Sequence, residues 1–140
     1  MDLEYEIKVS PALEDMLKKS KPEHFQIKAI NNSTNEVLGS YRFNPPTKND
    51  ENTYTYTFSK FESNKSSKNI PKNLIYRACE VLQIIANNTK NDVIHRPFFK
   101  ELKDKNIEKS QTLIKHFEDL GYRQIGLNKY EKKYERANSN

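Results

Sequence analysis

Between Lys72 and Asn87 the chain places Leu74, Ile75, Ala78, Cys79, Leu82, Ile85 and Ala86 at helical spacing, and this apolar helix face dictates what the rest can fold around. Only 34% of the residues are hydrophobic and 31% are charged, so each remaining element must turn its few apolar side chains toward that helix for a core to close. A chain of 140 residues is one domain, expected over 1–136, with a disordered tail over 137–140.

Ahead of the helix the pattern has period two. Leu3, Tyr5, Ile7 and Val9 alternate with Glu4, Glu6 and Lys8, which predicts a half-buried strand. Ser10 then fits a helix N-cap with Pro11 at the first helical position, and Leu13, Met16 and Leu17 give a short apolar face that ends at Lys21-Pro22. Phe25, Ile27 and Ala29 define a second strand, the polar run 31–35 a turn, and Glu36 to Phe43 a third strand that pairs back as a hairpin. Residues 44–50 read as a loop, after which Tyr54, Tyr56 and Phe58 alternate with threonines in β-favouring residue types.

From Phe61 to Ile70 the intervening residues have no apolar member and read as a solvated loop, with Asn69 and Pro71 opening the long helix and Asn87-Asn88 closing it. Asp92 to Phe99 reads as a short central strand broken at Pro97, and Lys100 to Lys105 as a charged connection. A second helix, Ile107 to Leu120, carries Leu113, Ile114, Phe117 and Leu120 on one face, and Gly121 supplies its left-handed cap. Tyr122 to Tyr134 is then a last strand or strand pair. The whole predicts an α+β fold: one mixed, mostly antiparallel central sheet flanked by helices.

Several functions are excluded early. Cys79 is the single cysteine, so no internal disulfide or Cys-pair zinc site can form, and its apolar neighbours mark it as a core residue rather than a nucleophile. His24, His95 and His116 lie far apart with no paired carboxylate at ligand spacing, which predicts no metal. No apolar stretch has the length of a membrane span and the first residues have no apolar signal region, so the expectation is a cytoplasmic protein with no membrane partner. A net charge of +5 suits an anionic partner and plain solubility alike.

The end of the chain carries a family resemblance. The stretch Leu113-Ile-Lys-His-Phe-Glu-Asp-Leu-Gly-Tyr-Arg-Gln-Ile-Gly126 followed by Tyr130-Glu-Lys-Lys-Tyr134 resembles the last helix, Leu-Gly-Tyr ending and final strands of the GNAT N-acetyltransferase superfamily, and Glu36 to Phe43 is similar to an early strand of that fold. The likeness in motif covers about the final quarter of the chain; the order of elements extends it over most of the rest. It implies transfer of an acyl group from acetyl-coenzyme A to an amine by direct attack, the acceptor being an unknown small molecule or peptide.

In such proteins backbone amides at the opening of the long helix bind the pyrophosphate. The corresponding segment here offers Lys65, Ser66, Ser67, Lys68 and Lys72 as cofactor-binding candidates. It departs from the family, because the chain has no glycine between Ser40 and Leu120 and Pro71 removes one amide donor. The same segment also reads as an ordinary solvated loop. At the position four residues before Gly121, where the family often carries a proton-donating tyrosine, this chain has Phe117, which can donate nothing.

Glu62, at the exit of the tyrosine-rich strand, is the candidate catalytic base, and His95 a second; a solvated carboxylate and a hydrogen-bonded half-buried imidazole are their ordinary readings. These departures leave three functions in play: an impaired acyl-coenzyme A-dependent acetyltransferase, a non-catalytic coenzyme A- or protein-binding module, and a small single-stranded nucleic-acid binder using Tyr54, Tyr56 and Phe58 as a stacking platform. Tyr122 is expected in the core, and Tyr130 and Tyr134 are expected to pack inward or to mediate self-association as a homodimer.

Overall fold

The computed structural model describes residues 4–63, 69–98 and 107–137. It has the α+β architecture expected, but with two sheets where the sequence predicts one. The first sheet orders its strands β1 (Tyr5–Ser10), β2 (Phe25–Asn31), β3 (Val37–Phe43) and β6 (Ser59–Ser63), all antiparallel. The second runs β4 (Thr47–Asp50), β5 (Thr53–Tyr56), β7 (Asp92–His95), β9 (Lys129–Tyr134) and β8 (Arg123–Gly126), with β5 and β7 its parallel pair.

Helix α2 (Asn69–Thr89) lies across β2, β3 and β7 and meets α3 (Ile107–Asp119) on the same side. Its buried residues are those of the apolar face together with Ile70 and Val81. The approach to β3 depends on Gly39, where an added Cβ would stand 3.0 Å from Leu74 Cδ1, 3.1 Å from Ile70 Cγ2 and 3.2 Å from the Glu62 carbonyl. Beneath the helix an aromatic layer fills the core: Phe25 stacks on Phe43 at 4.4 Å, and Tyr56 meets both edge-on at 5.7 and 5.8 Å. Gly121 caps α3 at φ 95, as predicted. No helix among the described residues is long and apolar enough to cross a membrane.

Four local expectations are corrected. Ser10 ends β1 instead of capping a helix, so α1 (Leu13–Met16) starts later with Ala12 at its N-cap and no side-chain cap bond. Residues 47–50 are strand β4 rather than loop, wholly exposed at the sheet edge, which is why no apolar alternation announces them. The segment after Phe58 holds strand β6, whose Phe61 is its one apolar contribution. Helix α2 continues past Asn87-Asn88 to Thr89 and stops where Lys90 turns left-handed at φ 57. Asn88 is instead a clasp, its side-chain amide reaching the Met16 and Lys19 carbonyls at 3.4 and 3.2 Å. The predicted 100–105 connection and residues 138–140 of the tail lie outside the described residues.

Candidate functional site

The segment from Thr53 to Ser63 belongs to both sheets. As β5 it pairs with β7, ending at Tyr56 opposite His95, where Arg96 N–H still donates to the Tyr56 carbonyl at 3.0 Å. Three residues later it pairs with β3 instead, Ser59 opposite Phe43, and Asn44 N–H donates to the Phe58 carbonyl at 3.0 Å. Adjacent strands therefore part at Tyr56 and His95, and β6 becomes an edge of its own sheet. Phe58 sits at the parting with 68% of its surface exposed, so it leaves the alternation that the sequence assigns to it.

Behind this fork the two sheets are joined by rings. Tyr41 meets Phe61 at 5.4 Å, His95 at 6.1 Å and Phe117 at 6.4 Å, and Phe117 meets Tyr122 at 4.9 Å. Within that cluster runs a hydrogen-bonded chain. Tyr134 and Tyr122 hydroxyls lie 2.7 Å apart, Tyr122 hydroxyl lies 2.6 Å from His95 Nδ1, and His95 Nε2 lies 3.3 Å from the Tyr41 hydroxyl. Cys79 Sγ joins at 3.8 Å from Tyr122.

A neutral imidazole has one donor and one acceptor, so it can satisfy both flanking tyrosines without a net charge. Burial drives the His95 pKa down to about 3 and pushes the Tyr41, Tyr122, Tyr134 and Cys79 pKa values upward. Every member is thus neutral near pH 7. The hydrogen-bonded chain ties β3, β7, β9 and α2 together, and burial disfavours the protonated form of its imidazole.

Glu62 is elsewhere. It stands exposed on β6, opposite Ser40, with Lys60 Nζ 3.0 Å from its carboxylate. The hydrogen bond and charge of Lys60, with a contribution from Arg42, hold its carboxyl below the usual range. The structure does not bring Glu62 and His95 together: His95 belongs to the helix side of the fork and Glu62 to the opposite face.

Of the cofactor-binding candidates, Lys65, Ser66, Ser67 and Lys68 lie outside the described residues, and Lys72 is in the first turn of α2. Its ammonium stands 5.5 Å over the Tyr76 ring and close enough to α3 to disfavour protonation of His116, whose pKa burial lowers first. Tyr54, Tyr56 and Phe58 do not form a platform, because Tyr56 is fully buried and donates to the Glu23 carbonyl at 2.6 Å. Tyr122, Tyr130 and Tyr134 all pack inward, as expected. No group of three metal-ligating side chains occurs among the described residues.

A groove of about 530 Å³, lined in part by Met16, Lys19, Glu23 and Ile85, opens beside α1 near the C-terminal end of α2. The fork and the α2 N-terminus contribute nothing to it. The tyrosine and histidine chain is what the sequence did not reveal: its members lie on three strands and a helix end, and no spacing links them.

No family model and no curated protein matches the chain in sequence. Among solved structures it is similar to the ribosomal-protein-S5-alanine acetyltransferase of Vibrio fischeri, with a TM-score of 0.52 and 9% identity over 79% of this chain and 62% of that one. Lower similarity, with a TM-score of 0.46 and 13% identity, extends to the aminoglycoside 6'-N-acetyltransferase of Enterococcus faecium, over 87% of this chain and 77% of that one. A Desulfovibrio desulfuricans protein described as a GNAT-family acetyltransferase matches at the same two values over 80% and 68%. This chain spans less than two thirds of the first of these structures. The fold is GNAT-like: helices over mostly antiparallel sheets that part beside a long central helix.

Proposed function

We propose that this chain is an acyl-coenzyme A-dependent N-acyltransferase of minimal kind, which holds thioester and amine together in the fork and, among the described residues, relies on neither a side-chain base nor a side-chain acid. The fork itself carries the reading. Because β6 is an edge strand, alternate backbone N–H and C=O groups along it face away from β3, matching an extended ligand arm that contains amides. At the end of that edge, the positive end of a 21-residue helix and the Lys72 ammonium suit a phosphate, although Pro71 takes one amide donor from the first turn.

When bound, acetyl-coenzyme A supplies the activated acyl group and the thiolate leaving group. The chain's own part is positional: the neutral Tyr41, His95 and Tyr122 chain fixes the walls, and Phe117, 3% exposed, keeps the helix side of the fork dry. With no group among the described residues to deprotonate it, the acceptor arrives as a free amine. Thiol release from acetyl-coenzyme A, followed across a panel of small amines and peptides, should therefore rise with pH until the amine's own pKa is passed. A bell-shaped profile with a limb near neutrality would reveal a protein acid or base and contradict this mechanism.

Phe117 also favours a second reading, a binding module that retains coenzyme A or a protein contact without turnover. Binding without thiol release on any amine would select it.

A further inference from the structure

On the first sheet, the face turned away from the helices carries two cross-strand pairs of like charge. Lys8 is the register partner of Lys28 between β1 and β2, and Arg42 is the partner of Lys60 between β3 and β6. All four share one face, since their strand neighbours Ile7, Val9, Ile27, Ala29, Tyr41, Phe43 and Phe61 belong to the core side. Like charges directly opposed on a sheet destabilise it, and alternation with a polar residue of any other kind would serve folding better. Among the described residues no carboxylate forms an ion pair with Lys8, Lys28 or Arg42, while Lys60 takes Glu62 at 3.0 Å. Glu6 stands at the far corner, opposite Ile30.

We propose that this face is a docking surface for an acidic segment of a partner protein, whose carboxylates sit between the opposed cations. Among the described strand residues of this sheet no aromatic side chain lies on the face, because Phe25, Tyr41, Phe43 and Phe61 pack on the helix side; the exposed Phe58 stands just ahead of β6, a single ring and not a stacking platform. Glu6 and Glu62 at its margins repel an unbroken phosphate backbone but leave room for a polypeptide whose carboxylates are spaced by neutral residues. The four strands give a platform about 14 Å across, wide enough for one extended segment.

The test uses the full chain and a short fluorescent peptide of alternating Glu and Ser, with its Gln counterpart and a short single-stranded RNA as comparators. The Glu peptide should bind, weaken with added salt, and lose roughly tenfold in affinity in Lys28→Glu and in Arg42→Glu. Lys28→Glu replaces a repulsive pair by an attractive one, so it should also raise the Tm, by about 2–4 °C; Arg42→Glu gives up the attraction between Arg42 and Glu62 and is expected to bring no such gain. A plain surface patch would not link weaker binding to greater stability. Absent peptide binding, an affinity unmoved by both reversals, a Tm lowered in Lys28→Glu, or RNA bound in place of the peptide would each overturn the proposal.

Discussion

His95 shows how one buried residue can set the behaviour of its surroundings. It is 1% exposed and flanked by hydroxyls on both ring nitrogens. Its replacement by Phe should lower stability by about 1–3 kcal/mol in urea unfolding at neutral pH, since Tyr41 and Tyr122 each lose a buried partner. The pH dependence has a definite sign. In the unfolded chain the imidazole protonates near its ordinary 6.5, whereas in the folded chain it resists until about 3. The stability owed to the neutral ring is therefore complete above 6.5 and is lost as pH falls from 6.5 toward 3. In His95→Phe that limb should flatten, which unfolding midpoints on either side of pH 6 would show. Gly39→Ala is a second test at this scale: its Cβ would press on Leu74, Ile70 and the Glu62 carbonyl, and melting should show a loss of about 1–3 kcal/mol. At this scale the sequence was legible where burial follows alternation, as for Tyr122 and Tyr134, and silent on the hydrogen bonds that join them, because those partners are distant in the chain.

Among the elements, α2 carries the core. Leu82 is fully buried at its centre, so Leu82→Ala should cost about 2–5 kcal/mol by urea unfolding. At its end Lys90 holds a left-handed conformation that a glycine adopts without penalty, so Lys90→Gly should raise stability by about 0.5–1 kcal/mol. Helices α2 and α3 and strands β2 and β3 could be read directly, because each buries one face and spaces its apolar residues accordingly. Strands β4 and β6 could not. The first is exposed at every position, and the second offers Phe61 alone between Lys60 and Glu62, a composition that loops share. The parting of the sheets was illegible for the same reason: a strand that changes partners keeps its β-favouring residues, and only the exposure of Phe58 marks where it turns.

For the whole molecule, the fork beside the opening of α2 is the feature on which the proposed function rests. The fold class and the family likeness of the last quarter were both legible, since a helix ending in Leu-Gly-Tyr and a closing hairpin are local patterns; the division into two sheets was not. If the fork holds an acyl thioester, Phe117→Tyr would restore a proton donor beside it, and thiol release with a reactive amine should rise about tenfold or more. The most direct test is calorimetric titration with acetyl-coenzyme A and with free coenzyme A, repeated on a variant with Lys65, Lys68 and Lys72 changed to Ala. Micromolar binding that the triple variant abolishes is the result expected of a cofactor site at the opening of α2. No heat and no thermal stabilisation at millimolar ligand would contradict it, and would leave a GNAT-like fold that works through protein contacts alone.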